Sequence, residues 1–152
     1  MDDRDRYYRK LELEPGAWSF CRRGQASLQR LAKEYPQSIR ISGQKSIWKV
    51  GPGVTLGTTL KDLERLNRRP FVLAGFGWDY SGTVVSWEKG DLEKEFTTSG
   101  RVIVRLKPIE EIYKIVSSEE AESVMGDQDC RSDSKVMQKI NPRVYAITIE
   151  LK

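Results

Sequence analysis

The run Gly75-Phe76-Gly77-Trp78-Asp79-Tyr80-Ser81-Gly82 carries the residue types best suited to recognition in this sequence. Its three aromatics stand at alternate positions, so an extended backbone would put Phe76, Trp78 and Tyr80 on one face. Gly costs backbone entropy in a strand, so glycines here mark a bulge, a bend or a close approach. A platform of this kind holds a sugar, a peptide or a flat ring, with Asp79 supplying orientation. Together with Trp87, the candidate ligand-binding set is Phe76, Trp78, Asp79, Tyr80 and Trp87. The same pattern also suits a core. In that case the rings fill the interior, the glycines let the sheet bend over a leucine-bearing helix at 58–67, and Asp79 accepts hydrogen bonds from turn amides.

The wider inventory of reactive groups is thin. The chain has no His, which removes the commonest general base and the commonest metal ligand. Ser-His-Asp and Cys-His arrangements are therefore excluded, as are Cys/His zinc sites, since Cys21 and Cys130 are the only thiols. Asp127, Asp129 and Asp133 lie close together, but Ser132 and Gln138 occupy the positions where a calcium-binding EF-hand loop needs Gly and Glu. Residues 53–57 lack the Walker ending, and Gly75-Phe76-Gly77 lacks the third glycine of a dinucleotide fingerprint. No catalytic residue, metal ligand or cofactor is assigned. The alternative is a carboxylate-based, glycan-acting enzyme pairing Asp79 with a second acid such as Glu88.

Composition narrows the class further. With 152 residues the expectation is one domain over 1–152, its first ten residues frayed. Net charge is +4, from 26 basic and 22 acidic residues interspersed along the chain. Nucleic-acid binding is disfavoured, because only Arg22-Arg23 and the Arg65, Arg68, Arg69 group are locally basic. Whether Cys21 and Cys130 pair is a question of geometry that spacing leaves open. No run approaches the ~20 apolar residues of a membrane-spanning helix. Met1 is followed by the charged run 2–6 instead of a leader, so the expectation is a cytoplasmic chain or one whose leader has been removed.

The elements that would position these residues read as α+β: an antiparallel sheet meander packed against one or two short helices. Strands are expected at 10–13, 17–21, 38–42, 46–50, 71–76, 82–88, 91–96, 101–107 and 143–151. Helices are expected at 25–35, 58–67, 109–116 and 118–125, with a helical turn at 135–140 and a polar loop over 126–134. Leu60, Leu63 and Leu66 give the 58–67 helix its apolar side, Thr58 or Thr59 caps it, and Asn67 suits a left-handed C-terminal cap.

Several of these stretches also carry a family likeness. They are Lys45-Ser46-Ile47-Trp48, then Gly53-Val54-Thr55-Leu56-Gly57-Thr58-Thr59-Leu60, and then the 75–84 motif with Trp87. Leu63-Glu64, Leu66-Asn67, Pro70-Phe71, Gly126-Asp127, Ser132-Asp133, Met137-Gln138 and Asn141-Pro142 with Val144 complete the set. On these the chain resembles a family of bacterial envelope proteins, many of them lipoprotein-like, over roughly residues 38–151. The resemblance implies a periplasmic or membrane-anchored location and brings no established activity. At fold level the chain is also similar to small envelope modules that bind other proteins. The expectation is thus a non-enzymatic binding or structural module of the cell envelope, with a protein or glycan partner.

Overall fold

The computed structural model describes residues 36–43, 46–98 and 100–151. The strands expected at 10–13 and 17–21, the helix at 25–35 and residue Cys21 lie outside this range. The fold is α+β, with two three-stranded antiparallel sheets and, among the described residues, five short helices.

The first sheet comes from the three segments whose sequence alternates most clearly. β1 (Ser38–Ser42) pairs with β6 (Arg143–Glu150), and β6 pairs with β4 (Arg101–Lys107). Ile41 stands opposite Ile147 on one side of β6, and Val104 opposite Ile147 on the other. All three are buried, which fixes the register, since a one-residue slip would turn them to solvent. The register shifts once. Arg105 pairs with Ala146 and Leu106 with Val144, so Tyr145 is an extra, bulged residue. The bulge interrupts simple alternation along β6, and Val144, Ala146 and Ile147 are all buried.

The second sheet is a short hairpin, β2 (Val72–Ala74) and β3 (Val84–Ser86), extended by β5 (Asp129–Arg131) on the far side of β2. The polar loop expected over 126–134 therefore contains a strand. Cys130 is its one buried residue, opposite Leu73, and its exposed neighbours Asp129 and Arg131 made the segment look like a loop. Residues 46–50, expected as a strand, contribute only an isolated bridge between Val50 and Val54 around the Gly51-Pro52-Gly53 turn.

Helix α1 (Leu60–Asn67) starts where Thr59 Oγ1 accepts from the Asp62 amide at 3.2 Å. It buries Leu60, Leu63 and Asn67. The left-handed C-terminal cap is Arg68, at φ 56°, and not Asn67, whose side chain is spent inside the protein. Helix α2 (Asp91–Thr98) replaces the expected strand at 91–96. Leu92 and Phe96 are four residues apart, both are buried, and Asp91 and Glu93 sit favourably in its first turn.

Helices α3 (Ile112–Ile115), α4 (Ser118–Glu122) and α5 (Lys135–Ile140) are shorter. A reciprocal capping box between Ser117 and Glu120 starts α4. Asn141, left-handed at φ 43°, ends α5, and Pro142 forbids its continuation. One hydrophobic cluster joins both sheets and the helices, and Phe71, Leu73, Leu92, Leu106 and Met137 within it are fully buried. Each such side chain contributes about 1.5–3 kcal/mol of transfer free energy.

Candidate functional site

The 75–82 segment is a turn that joins β2 to β3, and its backbone is not extended. Phe76 makes a bridge to Met125, its amide donating to Val124 O at 2.8 Å while Gly126 N donates back to Phe76 O at 2.8 Å. A Cβ on Gly75 would come within 2.6 Å of Gly126 O, so only glycine allows this approach. At the far end Gly82 has φ +65° and lies against β4, accepting at its carbonyl from Leu106 N at 2.9 Å. Between these fixed points the chain folds back through the Ser81 N to Trp78 O and Thr83 N to Tyr80 O hydrogen bonds, each 3.0 Å. Ser81 Oγ accepts from the Gly77 amide at 3.2 Å. The glycines thus serve close packing and turning, while the turn carries the aromatics outward.

That geometry separates the five candidate residues. Phe76 is 3% exposed and Trp87 8%, and both belong to the core. The Trp87 ring packs between Phe71 and Phe96, with centroids 5.0 and 5.5 Å away. Trp78 and Tyr80 are 37% and 58% exposed, and Asp79 between them is exposed as well. The two exposed rings meet edge to face at 5.3 Å, and Trp78 Nε1 donates to Gly75 O at 2.9 Å. The amides of Gly77, Ser81, Gly82 and Thr83 bond to Ser81 Oγ and to backbone carbonyls, and not to Asp79. Trp78, Asp79 and Tyr80 are exposed together on the turn, and Phe76 and Trp87 belong to the core.

Among the described residues the acidic groups do not gather into a catalytic pair around this turn. In the β2–β3 register Val72 faces Ser86, so Glu88 lies at the opposite end of the hairpin from Asp79. Glu88 Oε1 accepts from Ser86 Oγ at 2.7 Å. Glu64 accepts from the buried Ser132 hydroxyl at 2.6 Å, and that hydroxyl also accepts from Phe71 N at 2.9 Å, which ties α1 to β2 and the end of β5. Arg131 holds the Asp133 carboxyl below its usual range by hydrogen bonding. Burial raises the Cys130 thiol pKa, with the Asp129 charge adding to it, so the reactive thiolate is disfavoured. Among the described residues no three Cys, Asp or Glu side chains are grouped to hold a metal ion. No helix among them is long and apolar enough to cross a membrane.

The locally basic run is largely neutralised. Arg65 pairs with Asp62 at 2.8 Å, Arg68 with Asp91 at 3.3 Å, and Arg69 donates to the Glu88 carbonyl at 3.1 Å. A different group of cations escaped the sequence reading. Arg40, Lys107 and Arg143 line one cleft beside the first sheet, brought there from three separate strands. Their positions in the chain are too distant for any charge run to signal them.

No protein-family model matches the chain, and neither a curated protein nor a solved structure shows significant similarity to it.

Proposed function

We propose that this protein is a non-enzymatic binding module whose Trp78-Asp79-Tyr80 turn meets a protein or glycan partner at the bacterial cell envelope. One observation supports the reading above others: an indole and a phenol stand exposed on a turn whose two ends are fixed by glycine packing. Exposed aromatics ordinarily cost solubility, and a turn held rigid before binding loses little entropy on contact. Aromatic side chains offer large apolar area with few rotatable bonds, which suits the face of a sugar ring or an apolar side chain of a partner. Asp79 adds a hydrogen-bond acceptor between the rings. The separation of Asp79 from Glu88 along the hairpin favours binding over carboxylate catalysis. The envelope location is carried by the motif resemblance.

The test uses the full chain on an array of bacterial cell-wall glycans and muropeptides, alongside a photo-crosslinking residue at position 80 in bacterial cells. The expected result is a defined glycan or crosslinked envelope protein whose binding disappears in Trp78→Ala and Tyr80→Ala, with the circular dichroism spectrum retained. Ligand capture that is indifferent to both substitutions would sink the platform, and fractionation of the chain with cytoplasmic proteins would sink the location.

A further inference from the structure

The strongest unassigned feature is the cleft beside the first sheet, about 620 Å³ in volume. That is within the ~300–1,000 Å³ typical of small-ligand sites. Arg40, Lys107 and Arg143 all line it, and none of its lining residues is acidic. Among the described residues no carboxylate pairs with any of the three. Lys107 and Arg143 are moreover direct partners across the β4–β6 pair. Like charges in that relationship repel and weaken a sheet. The Lys107 ammonium rests 5.5 Å from the centroid of the bulged Tyr145 ring, a contact that holds the cation without neutralising it.

We propose that this cleft binds a small ligand bearing at least two phosphate charges. The Lys107–Arg143 cross-strand pair, with Arg40 from β1 lining the same cleft, creates a positive potential that a polyanion relieves, and two guanidinium groups suit bidentate phosphate recognition. The bulge at Tyr145 is part of the device, since it turns the ring to the cleft just where Lys107 ends β4. A nucleic-acid strand would need cations continuing beyond the cleft, and among the described residues Arg65 and Arg68 are already paired to Asp62 and Asp91.

Isothermal titration with sodium pyrophosphate tests this, with inorganic phosphate, citrate and a short single-stranded RNA as comparison ligands and ionic strength varied. Saturable pyrophosphate binding that weakens with salt is expected, with affinity at least about tenfold lower in Lys107→Gln and in Arg143→Gln. Arg65→Gln, already paired elsewhere, should bind like the parent. Relief of the cross-strand repulsion should leave the melting temperature of unliganded Lys107→Gln equal to or above the parent value, a result that a purely structural lysine would not produce. Undetectable pyrophosphate binding, or binding unchanged in both variants, would overturn the proposal. Tighter binding of citrate would overturn the phosphate assignment, and tighter binding of the RNA would overturn the small-ligand assignment.

Discussion

Gly90 lies directly against the side-chain amide of Asn67, so that a Cβ at residue 90 would overlap the amide group. Asn67 is fully buried at the end of α1. Its Nδ2 donates to Trp87 O at 2.9 Å and Arg69 O at 3.0 Å, and its Oδ1 accepts from Leu92 N at 3.2 Å. One amide thereby joins the end of α1, the segment after β3 and the first turn of α2. Asn67→Ala strands two carbonyls and an N–H, and we expect it to cost roughly 2–4 kcal/mol. Gly90→Ala should cost roughly 1–3 kcal/mol through overpacking. The double variant should lose less than the sum, because removing the amide opens the space the new methyl needs. Urea denaturation of the three variants measures the cycle, and strict additivity would contradict the contact.

Gly82 makes a comparable contact between the sheets. It has φ +65°, and a Cβ there would collide with Leu106 O on β4. Gly57 has φ +89° with nothing within 4 Å of an added Cβ. Both alanine substitutions carry left-handed strain of about 1–2 kcal/mol, but only Gly82→Ala must also push two strands apart. The expected order of urea midpoints is parent, then Gly57→Ala, then Gly82→Ala well below. Equal losses at the two positions would mean that backbone strain alone explains residue 82.

Strands β1, β4 and β6 were legible because their alternation is local and each keeps one apolar face. Strand β5 was not, since Cys130 is its single apolar residue and only pairing with Leu73 makes it a strand. Regular turn spacing suggested a third meander strand at 91–96, although the Leu92 and Phe96 spacing already fitted a helix. The Lys89-Gly90 pair looks in sequence like a turn made by its glycine. The positive φ values there belong to Glu88 and Lys89, and Gly90 serves contact with Asn67. For the candidate site, residue types identified the 75–82 segment, but whether its backbone extends or turns depended on Val124, Gly126 and Leu106 from distant elements. Arg40, Lys107 and Arg143 come to line one cleft only through the non-consecutive order β1-β6-β4, which no local pattern encodes.

The capping box of α4 is linked to α5 through charge. Lys139 forms an ion pair with Glu120, and Glu120 also accepts from the Ser117 amide at 3.2 Å. The Lys139 hydrogen bond, and secondarily the Ser117 amide, hold the Glu120 carboxyl below its ordinary value. A lowered folded pKa means that this contribution is complete above the unfolded value and is lost as pH falls through the folded one. The pair is exposed to water, so the effect is small and sensitive to salt. In Lys139→Met the Glu120 pKa, followed by NMR, should rise. The stability gap to the parent should be present at neutral pH and close in acid. A gap that persists below the carboxylate range would mean that Lys139 acts through its hydrocarbon stem instead.

The four aromatic residues of the candidate set should separate by stability as they separate by burial. Phe76 and Trp87 fill the core, and truncating either to alanine should cost about 3–5 kcal/mol. Tyr80 projects into solvent, and Tyr80→Ala should cost about 0.5–1 kcal/mol, chiefly the edge contact with Trp78. Trp78 falls between them, at about 1–2 kcal/mol, because alanine there removes the Nε1 bond to Gly75 and the edge contact with Tyr80. Urea midpoints of the four variants check this order. The ranking matters for function, because only residues whose loss leaves the fold intact can be tested as binding contacts. If Tyr80→Ala proved as costly as Phe76→Ala, the turn would be packed into the body of the protein, and the exposed aromatic surface on which the binding role depends would not exist.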